Sequence, residues 1–298
     1  MILFTGASGF LGDNIYPVLS QKYEIETLGL SANDTYKIDF SREIPSFNKP
    51  YDIIIHAAGK AHVIPKDLKE SDEFFQINLE GTKNLIKGLE QSAKLPKSIV
   101  FISTVAVYGV ETGTNINEKN ALLGNSPYAL SKIQAEEFLL NWCSKNKVTL
   151  GILRPSLIAG KNPPGNLGAM IDGIKTGKYL RIGNGSAQKS VLMAEDIARI
   201  IPRLAEVGGI YNVCDNHHPS FAALEELIAR QLNKKSPSSI PYRVAKSIAL
   251  VGDIVGNKIP INSSKLDKIT QSLTFSNEKA KRELSWEPLD VLQNFRIS

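Results

Sequence analysis

Along the first half of the chain, short apolar runs rich in β-branched residues alternate with longer segments whose apolar residues recur every three or four positions. That alternation is the pattern of parallel strands joined by amphipathic helices. It predicts strands over 2–5, 24–28, 36–39, 52–57, 98–103 and 148–153, with helices over 67–94 and 126–145. Six such strands with right-handed crossovers make an α/β fold with a doubly wound parallel sheet. After Arg154 the texture changes, with loop signals in Gly160-Lys-Asn-Pro-Pro-Gly165 and Gly183-Asn-Gly185 around a short helical segment. A first domain is therefore expected over 1–160, returning near 188–215 where 210–213 reads as one more buried strand. A smaller C-terminal α/β lobe is expected over 161–187 and 216–298.

Composition narrows the class. With 298 residues, 42% hydrophobic and 22% charged, the chain can bury a sizeable core. A formal charge of +5, spread among acidic residues, gives no block that would suit a nucleic acid. It does suit an anionic small substrate. Cys143 and Cys214 have neither disulfide nor zinc spacing. His62 and the adjacent His217 and His218 lack acidic or cysteine partners at ligand spacing, so no metal is expected. The opening residues run straight into a glycine loop without a basic leader, and the apolar stretch 248–256 is too short to span a bilayer. It reads as a core helix. No membrane partner and a cytoplasmic location are expected.

Thr5-Gly-Ala-Ser-Gly-Phe-Leu-Gly12 follows the first strand and opens a helix. Its glycines allow a tight turn and close approach of a pyrophosphate to the helix N-terminus, the device of a Rossmann fold. Tyr128 and Lys132 stand four apart and share one helix face. Bringing a phenol from its ordinary value of about 10 to near neutrality takes about 4 kcal/mol of preferential stabilisation of the phenolate. A lysine and an oxidised nicotinamide are cations able to supply it. Phe101-Ile-Ser-Thr104 ends a strand in hydroxyls, where open α/β sheets bind ligands, so Thr104 could bond the oxygen that Tyr128 protonates.

Six motifs occur in one order: Thr5-Gly-x-x-Gly-Phe-x-Gly12, His56-Ala-Ala-Gly59, Asn78-x-x-Gly-Thr82, Ser103-Thr-x-x-Val-Tyr-Gly109, Tyr128-x-x-x-Lys132 and Arg154-Pro-Ser156. On them the chain resembles an extended short-chain dehydrogenase of the nucleotide-sugar epimerase/dehydratase family over nearly its whole length. The resemblance implies that Tyr128 is the acid/base, that Lys132 holds the nicotinamide ribose and lowers the tyrosine pKa, and that Thr104 is their hydroxyl partner at the substrate. It places Gly6, Ser8, Gly9, Phe10, Leu11, Gly12, Gly29, Asp39, Phe40, His56, Ala57, Ala58, Gly59, Asn78 and Pro155 along the cofactor, NAD or NADP. Asn166 and Lys189 fall at the substrate diphosphate, Lys189 as a point charge where many relatives have an arginine. The expected partner is a nucleotide-diphosphate sugar, and the expected assembly a homodimer.

Two departures refine this expectation. Family dehydratases carry an Asp-Glu pair after the threonine, because eliminating water needs another acid and base; here Val105 and Ala106 stand there. At the end of the second strand, Gly29 offers no carboxylate to a ribose hydroxyl, which tilts the expectation towards NADP and towards a 4-keto-sugar reductase over a 4-epimerase. Ser31 and Asn33 are potential donors to a 2′-phosphate. The rival readings are a non-catalytic dinucleotide-sensing regulator, which has no need for Thr104, Tyr128 and Lys132, and a same-fold dehydrogenase of a non-sugar alcohol, which has none for Asn166 and Lys189.

Overall fold

Seven strands, all parallel, make the central sheet: β1 (Ile2–Thr5), β2 (Ile25–Gly29), β3 (Tyr36–Lys37), β4 (Ile53–His56), β5 (Ser98–Ile102), β6 (Thr149–Pro155) and β7 (Gly209–Val213). This computed structural model describes residues 1–61, 63–255 and 262–297, so His62 and Gly256 lie outside it. The strand order is β7-β6-β5-β4-β1-β2-β3. The order in which strands are added reverses between β1 and β4, and the crevice beyond their carboxyl ends is where such sheets bind ligands.

Alternation along each strand fills two cores. Ile2, Phe4, Ile55, Val100 and Leu153 face one side, and Leu3, Ile54, Ile99, Phe101 and Ile152 the other. With apolar side chains in both directions, these strands need helices on both faces. On the first side pack α1 (Phe10–Leu19) and the later helix 194–207. On the second lie α2 (Leu68–Phe75), α3 (Gly81–Glu90) and α4 (Pro127–Asn146). Strand ends differ from expectation for local reasons. Strand β3 stops at Lys37, and Asp39 then accepts hydrogen bonds from the backbone and hydroxyl of Ser41, starting a turn. Strand β6 starts one residue late because Lys147 closes α4 at φ +56°. The single helix expected over 67–94 is divided by a π-turn, Gln76–Glu80, which carries Asn78.

Beyond β6, α5 (Gly165–Lys175), α6 (Ala194–Val207) and α7 (Phe221–Gln231) follow, with α6 being the helix already placed against α1. Leu167, Met170, Leu224 and Ile228 form a third core between α5 and α7. The last long helices are α8 (Tyr242–Val255) and α9 (Ser263–Thr270). The core-helix expectation for 248–256 fails on α8, because Ile248, Leu250 and Val251 are exposed while Ala245 and Ala249 are buried. Among the described residues no helix is long and apolar enough to cross a membrane.

Candidate active site

The loop after β1 is shaped by two glycines that tolerate no side chain. Gly6 has φ +79°, and a β-carbon there would stand 2.6 Å from the Ala58 nitrogen. One on Gly12 would stand 2.2 Å from the Ala7 carbonyl oxygen. Gly9, the N-cap of α1, supplies no side-chain bond to the first turn, so the N–H groups at this helix end face the crevice with their positive dipole. Ser8 and Gly9 are exposed and Phe10 and Leu11 half-buried around that opening.

His56 secures the loop from below. Thr82 Oγ1 donates to the Asn78 carbonyl (2.6 Å), so it accepts from His56 Nε2 (2.8 Å), leaving Nδ1 to accept from Thr5 Oγ1 at 2.7 Å. Burial, reinforced by the Lys132 charge, pushes the imidazole down to about 3, so it is neutral. Asn78 ties the next segment to the helix of Tyr128. Its amide donates to the Lys60 carbonyl (3.1 Å) and to Ser131 Oγ (2.9 Å), and its oxygen accepts from the Lys60 N–H (2.7 Å). With its donors spent on the protein, Asn78 shapes the wall formed by Ala57, Ala58 and Gly59. Gly59 itself leaves room for Lys132, whose Nζ would lie 3.2 Å from a β-carbon there.

Thr104, Tyr128 and Lys132 come together at the carboxyl end of β5. Thr104 is the N-cap of a 3₁₀ turn, Val105–Tyr108, and its Oγ1 accepts the Ala106 N–H at 3.1 Å, so its own proton can point to a ligand. The apolar Val105 and Ala106 occupy that turn. Ser126 caps α4 by accepting the Ala129 N–H, which fixes the first turn that bears Tyr128. Burial holds the Tyr128 phenol above its ordinary value, and the Thr104 hydroxyl pulls it the other way. Lys132 does not act on the phenol as expected here. Its Nζ donates to the Ile102 carbonyl (2.9 Å) and lies 4.6 Å from the Phe101 ring centre. Burial lowers it to about 8, against the opposing pull of Glu136.

Sequence reasoning missed Glu136, one helical turn beyond Lys132. Its carboxylate accepts from Arg154 Nε (3.1 Å) and Nη2 (2.5 Å) and from Ser103 Oγ, with Glu136 and Arg154 both buried. One carboxylate thus joins the residues that precede Thr104 and Pro155 to the Tyr128 helix. The signal lay in a Glu four residues after Lys132, without its strand partner in view.

The end of β2 also differs from the sequence reading. Asp34 folds back so that its Oδ2 stands 2.6 Å from where a Gly29 β-carbon would be, and accepts the Ser31 N–H at 2.8 Å. A carboxylate is therefore present at this strand end after all. The Asn33 N–H is turned inward to Ser31 Oγ (3.2 Å) and the Ser31 N–H to Asp34, so neither backbone donor faces a phosphate. Asp39 is engaged with Ser41, and Phe40 packs edge-on against His56.

These residues fit a dinucleotide. The glycine cradle leaves the α1 N-terminus open, and Ser156 Oγ, beside Pro155, is buried without a partner among the described residues. Such a group calls for a ligand or water donor or acceptor. Asn166 stands exposed in the first turn of α5, and Lys189 lies half-buried, 6.0 Å from the Phe221 ring centre. Among the described residues neither hydrogen-bonds to Thr104, Tyr128 or Lys132. Burial and the Lys268 charge lower Lys189 to about 8, with Glu111 opposing them. His218 is held by Ser190 at 3.1 Å, and His217 lies 3.6 Å from Asp290; among the described residues no group of three or more His, Cys, Asp or Glu could hold a metal.

Comparison with known proteins agrees with this geometry. The chain is 27% identical over 296 residues to N-acetyl-alpha-D-glucosaminyl-diphospho-ditrans,octacis-undecaprenol 4-epimerase of Escherichia coli O157:H7, covering 93% of this chain and 88% of that one. It is 26% identical to UDP-glucose 4-epimerase of Vibrio cholerae, covering 98% and 92%. The solved UDP-glucose 4-epimerase of Thermotoga maritima with UDP-glucose shares the fold at TM-score 0.74 and 18% identity, covering 98% of this chain and 95% of that one. Residues 2–214 match the NAD dependent epimerase/dehydratase family, and the chain belongs to it as an NAD(P)-dependent enzyme of the extended short-chain dehydrogenase type.

Proposed function

We propose that this enzyme interconverts the C4 epimers of a sugar carried on a diphosphate, with Tyr128 as acid/base, Thr104 as its hydroxyl partner and Lys132 on the nicotinamide ribose. The observation that carries the reading is the convergence of these three groups at the β5 end, beside a glycine cradle that fits a dinucleotide. A nicotinamide held in the crevice beside Gly6, Gly12 and Lys132 would supply the chemistry of reversible hydride transfer at C4. Tyr128 takes the C4 hydroxyl proton as the carbonyl forms and gives a proton back as it is reduced, while Thr104 donates to the same oxygen. The Thr104 hydroxyl pulls the buried phenol towards ionisation, and the positive charge of a bound oxidised nicotinamide would act in the same direction.

Asp34 turns the choice between reductase and epimerase. A carboxylate at the β2 end bonds the ribose hydroxyls of NAD and repels a 2′-phosphate. Retained NAD is the usual state of family epimerases, so Asp34 favours that reading over NADP and a reductase. Lys189 and Asn166 are assigned to the diphosphate. Its far side is read as a nucleoside; in the Escherichia coli relative it is a polyprenol. The test is to incubate purified enzyme, with NAD and no reductant, with UDP-glucose and UDP-N-acetylglucosamine and to separate the C4 epimers. Formation of the galacto epimer supports the proposal. A requirement for stoichiometric reduced cofactor would convert the reading to a reductase.

A further inference from the structure

Helix α8 is built the wrong way round for a helix surrounded by water. Its inward face is made of the small residues Ala245, Ala249 and Gly252, packed on Leu266 of α9 with Ile182 and Ile240 alongside. Its bulky residues point out: Val244, Ile248 and Val251, spaced i, i+4, i+7, are 48, 40 and 49% exposed, with Leu250 and Tyr242 exposed beside them. A surface helix of a soluble protein normally turns such a row to the core. Here the row stays exposed.

The charge along this stretch of the chain is one-sided. The described residues 232–255 and 262–270 hold six Lys or Arg (Lys234, Lys235, Arg243, Lys246, Lys265, Lys268) against Asp253 and Asp267, a net +4 of the chain's +5. Arg243 and Lys246 are exposed on α8 itself. An apolar face flanked by lysine and arginine, with a tyrosine at one end, is the composition of a helix that lies in the headgroup plane of an anionic bilayer. The same lobe adjoins the proposed diphosphate site, since Lys268 of α9 pairs with Glu111 at 2.9 Å, and both charges act on Lys189.

We propose that the outer face of α8 docks on the surface of an anionic lipid bilayer, with Val244, Ile248 and Val251 entering the interface and the surrounding cations meeting lipid phosphates. The proposal deepens the reading of a diphosphate-linked sugar as substrate, because docking would bring the site to sugars whose diphosphate is carried by a membrane lipid. It departs from the expectation of no membrane partner.

The experiment is sedimentation of the full chain with phosphatidylcholine vesicles, with and without phosphatidylglycerol. The wild type should pellet with the anionic vesicles, and the triple variant Val244→Asp/Ile248→Asp/Val251→Asp should lose binding by about tenfold or more. Arg243→Ser/Lys246→Ser should bind more weakly and show a shallower salt dependence. These positions face outward, so turnover of a soluble sugar nucleotide, measured without vesicles, should stay unchanged; that assay reports separately on the proposed reaction. Equal sedimentation of wild type with neutral and anionic vesicles, or undiminished binding by the triple variant, would overturn docking. So would gel filtration showing that the triple variant splits a dimer, because a second copy would then cover the face.

Discussion

The carboxylate of Asp34 stands against the α-carbon of Gly29, its Oδ2 2.6 Å from where a β-carbon would be. A side chain five residues downstream thus occupies the place that an acidic residue at position 29 would fill. A carboxylate and a phosphate a few ångströms apart at an exposed site repel by about 1 to 4 kcal/mol. Wild type should therefore bind NADH more tightly than NADPH. Asp34→Ala should reduce that preference by about tenfold or more. Gly29→Asp should add little selectivity, since the new side chain displaces Asp34. Titrating both reduced cofactors against the three proteins checks this; equal preference in wild type and Asp34→Ala would remove Asp34 from the site.

Tyr128→Phe keeps the ring that packs 6.1 Å from Phe74 and removes only the hydroxyl. Turnover should fall by about 100-fold or more while cofactor binding persists. Single-turnover kinetics with a parallel cofactor titration measure both. A variant that turns over near the wild-type rate would exclude the phenol as the proton carrier.

His56 links stability to pH. Its folded pKa, about 3, lies below the ordinary 6.5, so the unfolded chain binds the extra proton in between. The contribution is complete above about pH 6.5 and is lost as pH falls towards 3. Asp196 has the opposite sign, since burial raises it to about 6. Comparing wild type with His56→Gln isolates the histidine: the gap in unfolding free energy should narrow by about 3 kcal/mol between pH 7 and pH 4. Denaturant melts at the two pH values test it, and a constant gap would mean that His56 titrates alike in the folded and unfolded chain.

Much of this architecture was legible in the chain, because a strand buried on both faces leaves an uninterrupted β-branched run, as in Ile53–His56, and a glycine cradle must have glycines. What escaped depended on tertiary placement. Asp34 reaches Gly29 only after the 31–34 turn closes, and no spacing rule marks that approach. The π-turn around Asn78 preserves the apolar rhythm of its helix, so periodicity passes over it. Helix α8 misled in the other direction, since its apolar residues look like core until the alanines are seen to take the inner face.

Glu136 and Arg154 form a buried pair whose loss should be felt in both folding and chemistry. Glu136→Gln leaves the guanidinium uncompensated and should cost about 3 to 5 kcal/mol of stability. Because Glu136 also holds the Lys132 pKa up, the variant should lower it further, moving the alkaline fall in activity to lower pH. Chemical denaturation and a pH–rate profile read the two effects; an unmoved profile would confine Glu136 to a structural role.

The most direct test of the C4 reaction is proton NMR of a sugar nucleotide turned over in deuterated water. Hydride removed from C4 and returned there leaves the C4 hydrogen unexchanged, while Val105 and Ala106 provide no acid or base for eliminating water. The predicted result is a 4-epimer with its full complement of carbon-bound hydrogen and no dehydrated product. Deuterium at C4, or a 4-keto-6-deoxy sugar, would contradict it.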